Sequence, residues 1–270
     1  MNFRKDATGG ERGAKERLDM NDILNHPVIT ERYFFPRQGR PQHERVFQGV
    51  DGTRLVCAHR VPHSGARTLV HFHGNGEIVS DYDDGYVDSL LSLGVNVLMV
   101  EYRGYGASQG SPELGKMLED VRFVREQCGL TPSETIVYGR SVGAIFAVEW
   151  AFQEPQIAGL ILESGVADPY QRLAIRLTPE ELGCEEKELR AACDRHLNHQ
   201  TKLVGYLGPL LVLHAAGDTL VEPDHARAHM SYAQGARKEL VLFERGGHNT
   251  ILGANWKDYL RCLKTFLDSL

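Results

Sequence analysis

Thr135-Ile136-Val137-Tyr138-Gly139-Arg140-Ser141-Val142-Gly143-Ala144 is the stretch on which the reading of this chain turns. The run from Glu134 to Tyr138 is β-branched and aromatic, which predicts a strand. Val142 to Gln153 is mostly apolar and has no Gly or Pro after Gly143, which predicts a helix. Between them stands Gly-x-Ser-x-Gly. A sharp strand-to-helix turn at that point lifts the Ser141 hydroxyl clear of the sheet, the arrangement of a nucleophile elbow. Gly139 and Gly143 leave room where strand and helix must approach, and Ala144 helps for the same reason. The competing reading is an ordinary glycine-flanked turn with a helix-capping serine.

Outward from this point the chain alternates. Upstream, Val46–Val50 and Thr53–Val61 read as a hairpin around Asp51-Gly52. Apolar strands follow at Thr68–His73 and Val95–Val100, with helices at Tyr82–Leu93 and at Pro112–Cys128. Ser111 is placed as the N-cap of the second helix, Pro112 at its first position and Gly129 beyond its end. Downstream, strands are predicted at Ile157–Leu162, Leu210–His214 and Glu239–Phe243, and helices at Asp224–Ala233 and Trp256–Leu267. Strands apolar throughout and separated by helices predict an α/β fold: a mostly parallel sheet of about eight strands covered on both faces. The alternation breaks at 166–206, a charged, strand-poor stretch read as a small helical lid. Leu173, Ile175, Leu177, Leu182 and Leu189 there either bury the insertion, the default reading, or line a pocket.

In open α/β sheets, ligands bind beyond the carboxyl ends of the strands. Asp218 follows Leu210–His214 directly, and His248 lies in the glycine-rich loop after Glu239–Phe243. Serine, acid and histidine therefore occur in that order at three strand ends, as a hydroxyl nucleophile with its base and orienting acid requires. Glu222 and Asp224 compete as the acid, but both sit near a helix start, where carboxylates are favoured for another reason. The oxyanion of acyl transfer needs preorganised donors. The Val142 N–H and the Asn75 N–H, in His73-Gly74-Asn75-Gly76 after the third strand, are the candidates. No Gly-x-x-Gly or Gly-Lys-Ser follows, so a phosphate loop is weakly supported. His71 and His73 are read as facing one side, with His73 holding the loop. His225 and His229 share a helix face; without further ligands they read as a surface pair rather than a metal site.

These segments, with Glu101-Tyr102-Arg103-Gly104-Tyr105-Gly106-Ala107-Ser108, Gly217-Asp218 and Gly247-His248-Asn249, resemble the α/β-hydrolase superfamily over about 45–269. The resemblance is to the small-lid branch of Bem46-like proteins and protein depalmitoylases that carries a serine aminopeptidase-like profile. It implies Ser141 as nucleophile, Asp218 as acid, His248 as base and backbone donors at Asn75 and Val142. Relatives usually carry Asp where Glu101 stands, and a His-Gly start where Ala215-Ala216 precede Gly217-Asp218. The expected activity is hydrolysis of an ester, thioester or amide through an acyl-enzyme, carboxylesterase or acyl-hydrolase chemistry on a small molecule or acyl-protein. A non-catalytic binding protein on the same fold is the rival. A dehalogenase would need aspartate at the elbow.

The rest of the sequence bounds the answer. The 270 residues carry 30 basic and 36 acidic side chains, a formal net charge of −6, which argues against a nucleic-acid binder. No long apolar run predicts a membrane span. Five cysteines without C-x-x-C spacing fit a reducing, cytoplasmic setting; a Cys184–Cys193 bridge is a minor alternative. No cofactor and no metal are expected. The division read is a leader and strap over 1–42, polar and glycine-containing over 1–20, and one domain over 43–270 that holds the lid.

Overall fold

The computed structural model describes residues 23–270; the leader expected over 1–20 lies outside them. The chain enters through a short helix, α1 (Pro27–Tyr33), before the strands begin. Those strands are β1 (Glu44–Gln48), β2 (Arg54–Arg60), β3 (Thr68–Phe72), β4 (Asn96–Val100), β5 (Thr135–Arg140), β6 (Gly159–Glu163), β7 (Leu210–Ala215) and β8 (Lys238–Phe243). Between them run α2 (Tyr86–Ser92), α3 (Leu114–Cys128), α4 (Gly143–Gln153), α5 (Pro169–Ala174), α6 (Glu186–His196), α7 (His199–Leu203) and α8 (Pro223–Tyr232), and α9 (Ile251–Asp268) closes the fold.

The eight strands form one sheet in the order β1-β2-β4-β3-β5-β6-β7-β8. β1 and β2 pair antiparallel, as do β2 and β4; the other pairs are parallel. At the Asp-Gly turn, Asp51 and Gly52 both take positive φ (62° and 76°), as a primed hairpin turn requires.

Alternation along the strands sorts the core onto two faces. Val70, Phe72, Val137, Leu160 and Leu162 join one cluster with α3, α4 and the 166–206 segment. Leu69, Ile136, Tyr138 and Ile161 join the other, with α2 and α9. The order reverses direction around β3: the chain leaves it for β4 on one side and later places β5 on the other. That is a topological switch point, where the loops after two adjacent strands diverge and leave a crevice. The loops after β3 and β5 carry Asn75 and Ser141.

Two local expectations are corrected by tertiary contacts. The α3 helix begins at Leu114, not Pro112, and Ser111 does not cap it. The Pro112 carbonyl instead accepts from Thr30 Oγ1 (2.9 Å), and the helix is capped from outside, where Asn25 Oδ1 accepts from the Lys116 N–H (3.0 Å). The closing helix starts at Ile251, five residues ahead of Trp256, across a non-helical Asn255 (φ −128°). Asn255 Nδ2 donates to the carbonyls of Arg245 and Ile251, both at 2.8 Å, and holds this break together.

The stretch after β6 forms α5, α6, α7 and a short 3-10 turn at Pro179–Leu182. Leu173, Leu177, Leu182 and Leu189 are buried in the core, whereas Ile175 is exposed. All five cysteines are free, Cys184 and Cys193 included.

Candidate active site

Ser141 sits between β5 and α4 with φ 54°, a left-handed conformation that a non-glycine residue adopts at a cost of roughly 1–3 kcal/mol. The surroundings enforce it. The Ser141 N–H donates to the Glu163 carbonyl (2.8 Å), and α4 starts two residues later. A Cβ on Gly143 would run into the Phe72 carbonyl oxygen and lie 2.7 Å from that of His73. A Cβ on Gly139 would lie 2.6 Å from both the Ala147 Cβ and the Gly143 oxygen. Both glycines are thus required by close approach.

Ser141 Oγ lies 2.9 Å from His248 Nε2, and His248 Nδ1 lies 2.8 Å from Asp218 Oδ2. Asp218 is buried, and only a small edge of Ser141 and of His248 meets solvent. An ionised Asp218 fixes the tautomer: Nδ1–H donates to the carboxylate, and the bare Nε2 accepts from the serine hydroxyl. Burial opposes the Asp218 charge, but hydrogen bonds from His214 and His248 and from the Val221 N–H outweigh it and hold the carboxyl far below the usual range. Its other oxygen accepts from the Leu220 and Val221 N–H groups, each at 2.9 Å. The competing acids lie elsewhere: Glu222 stands at the N-cap position of α8 without a side-chain capping bond, and Asp224 pairs with Arg227 (2.7 Å).

Among the described residues, neither the Asn75 N–H nor the Val142 N–H donates to another protein group, which leaves both donors available. The Asn75 side chain is pinned on three sides. Its Oδ1 accepts from the Phe35 N–H (3.1 Å) and from Tyr105 Oη (2.9 Å), and its Nδ2 donates to the Tyr33 carbonyl. His73 braces the same loop, with Nε2 2.7 Å from Glu101 Oε1 and Nδ1 2.8 Å from the Gly74 carbonyl. Both ring nitrogens face acceptors. Burial opposes protonation of His73, but the Glu101 carboxylate prevails and raises its pKa. His71 does not share that side: its ring stacks on Tyr138 (4.4 Å between centroids) in the other half of the core, whereas His73 meets Tyr102 and Tyr105.

Arg140 was not singled out by its spacing. Its guanidinium pairs with Glu77 of the Asn75 loop and with Glu163 (3.3 Å), and donates to the His248 carbonyl (3.1 Å). Glu77 in turn accepts from the Gly74 N–H (2.6 Å). One partly buried cation thereby ties together the elbow and the loops that carry Asn75 and His248. The only sequence signal was its position beside Ser141.

The expectation of a surface pair at His225 and His229 is also corrected. His229 is fully buried, with Nε2 3.0 Å from His199 Nδ1, and His225 Nδ1 accepts from the Ala167 N–H (3.2 Å). Among the described residues, no group of three or more His, Cys, Asp or Glu side chains is arranged to hold a metal ion. No helix there is long and apolar enough to cross a membrane.

Ser141 and His248 open into a cavity of about 190 Å³. Tyr33, Phe34 and Phe35 form one wall; Leu114, Ile145, Val166 and Leu173 contribute others. The segment that precedes β1 is therefore part of the site, which its sequence did not disclose.

The sheet order, the helices on both faces and the strained Ser141 turn define the α/β-hydrolase fold. The comparisons agree. Residues 64–183 match the family model described as serine aminopeptidase, S33. The chain is 25% identical over 221 residues to human alpha/beta hydrolase domain-containing protein 17B, covering 80% of this chain and 72% of that protein. It is 27% identical over 213 residues to the uncharacterized protein YfhR of Escherichia coli O157:H7, covering 75% and 72%. Among solved structures, the Pyrococcus furiosus esterase Pf2001 superposes with a TM-score of 0.65 at 16% identity, over 88% of this chain and 97% of that one. The chain has the α/β-hydrolase fold, and these likenesses support a hydrolase.

Proposed function

We propose that this protein is a serine hydrolase that cleaves an ester, thioester or amide through an acyl-enzyme. The observation that carries this reading is the unbroken hydrogen-bonded line from Ser141 Oγ through His248 to buried Asp218, opening into a cavity. Ser141 Oγ attacks the carbonyl carbon while His248 Nε2 takes its proton. The oxyanion is met by the N–H groups of Asn75 and Val142. His248 then returns the proton to the leaving oxygen, sulfur or nitrogen, and the acyl group stays on Ser141. A water molecule, deprotonated by His248, releases the acid. Asp218 holds the imidazole tautomer and stabilises the imidazolium, as in the Ser-His-Asp arrangement generally.

The carboxylesterase or acyl-hydrolase class is the reading we favour, with a small molecule or an acyl-protein as substrate. The similar proteins, an alpha/beta hydrolase domain-containing protein and an esterase, lend support. We take 166–206 as a lid and 43–270 as one catalytic domain, with part of 1–42 completing the pocket. Free cysteines support a reducing compartment, and we assign the protein to the cytoplasm.

The test is hydrolysis of a panel of 4-nitrophenyl esters, acyl thioesters and aminoacyl amides by the native chain and by Ser141→Ala. Turnover of at least one class, lost by about 10⁴-fold or more in the variant, is the expected result. Equal turnover by both proteins, or none by either, would reject the reading.

A further inference from the structure

We propose that the cavity beside Ser141 contains an anion subsite, formed by Arg172 and Arg176, that selects substrates bearing a carboxylate or phosphate away from the scissile carbonyl. This inference rests on the serine hydrolase reading of the same cavity and adds the substrate class.

Three arginines and no aspartate or glutamate line that cavity, in a chain whose net charge is −6. The charge of Arg140 is answered by Glu77 and Glu163. The charges of Arg172 and Arg176 are not: among the described residues, neither guanidinium forms an ion pair with a carboxylate. Nearby Arg32 shows the contrast, because Glu181 takes its guanidinium in a two-point pair.

The exposed Arg176 side chain rests on a support, and the backbone that carries Arg172 is held in place. Arg176 donates to the Arg32 carbonyl (3.1 Å) and lies over the rings of Tyr33 (5.7 Å) and Phe35 (5.9 Å), which themselves line the cavity. Arg172 is half-buried on α5, and the Tyr33 hydroxyl hydrogen-bonds to the backbone carbonyls of Arg172 and Leu173. A guanidinium held at a largely apolar wall presents its planar N–H fork to carboxylate or phosphate oxygens. The remaining wall, with Leu114, Ile145, Val166 and Leu173, suits the hydrocarbon between that anion and the reacting carbonyl.

The experiment pairs each anionic ester with a neutral partner of similar size. Mono-4-nitrophenyl glutarate against 4-nitrophenyl pentanoate places the carboxylate on the acyl side. 4-Acetoxyphenyl phosphate against 4-methylphenyl acetate places a phosphate on the leaving side. In the native chain, the kcat/KM ratio of anionic to neutral ester should be about tenfold in at least one pair, and it should collapse toward one in the Arg172→Gln/Arg176→Gln double variant. The Arg172→Lys/Arg176→Lys variant should keep most of the ratio. A ratio near one in both pairs, or one that the glutamine substitutions leave unmoved, would overturn the subsite. Should no ester turn over, the hydrolase reading fails separately, and calorimetry on Ser141→Ala still decides. Tighter binding of mono-4-nitrophenyl glutarate than of 4-nitrophenyl pentanoate, abolished by the two glutamine substitutions, supports the subsite. Equal or absent binding overturns it.

Discussion

Arg140 and Glu77, 63 residues apart, form a partly buried ion pair that joins the turn carrying Ser141 to the loop carrying Asn75. The pair ties the Ser141 turn to the loop that carries one of the two proposed oxyanion donors. Preorganisation of that kind matters most where charge develops in the transition state. Arg140→Gln should therefore lower kcat by about 10- to 100-fold with a smaller change in KM. Steady-state kinetics on the best ester of the panel measure this. A change confined to KM would assign Arg140 to substrate binding instead.

The Asn75 side chain supports the same loop from the other direction, through Phe35, Tyr33 and Tyr105. Asn75→Ala keeps the backbone N–H and removes the three hydrogen bonds. It should cost about tenfold or more in kcat, and Tyr105→Phe, which removes only one of the three bonds to Asn75 along with the one Tyr105 accepts from the Phe35 N–H, should cost less. Kinetics for the two variants check the order. A larger loss in Tyr105→Phe would show that the pinning runs through another contact.

Gly143 faces the end of β3 at a distance that admits no side chain. Gly143→Ala must push α4 or the β3 end aside. It should destabilise the fold by about 1–3 kcal/mol and slow reaction at Ser141. Urea unfolding gives the first quantity, and stability equal to that of the native chain would contradict the packing described.

Much of this site was legible in the sequence, for a definite reason. Apolar runs end at Tyr138, His214 and Phe243, so the strand ends stand out in the sequence, and Ser141, Asp218 and His248 follow within a few residues. Fold topology then brings the three together. The features that escaped are all long-range. Asn25 caps a helix 91 residues away, Phe35 reaches Asn75 across 40, and Glu77 reaches Arg140 across 63. No local periodicity encodes such partners. His229 escaped for a related reason: its i, i+4 spacing from His225 suggested a shared exposed face, but α7 packs over α8 and supplies His199 to cover it.

That burial predicts an acid response. Desolvation lowers the His229 pKa from the usual 6.5 to about 3 in the folded chain. Between those values the unfolded chain binds a proton that the folded chain refuses, so the contribution to stability is complete above pH 6.5 and lost as pH falls toward 3. The slope from one such group approaches about 1.4 kcal/mol per pH unit. His229→Gln should flatten the fall of urea-unfolding stability between pH 6.5 and 4.5. An unchanged slope would place the acid sensitivity elsewhere.

The central claim is that Ser141 is a nucleophile activated by His248 and Asp218. Its most direct measurement is intact mass, followed by peptide mapping, after exposure to a fluorophosphonate. The account predicts a single adduct on Ser141 in the native chain, no adduct in Ser141→Ala, and strongly slowed labelling in His248→Ala. An adduct that persists in Ser141→Ala, or a native chain that stays unmodified, would contradict it.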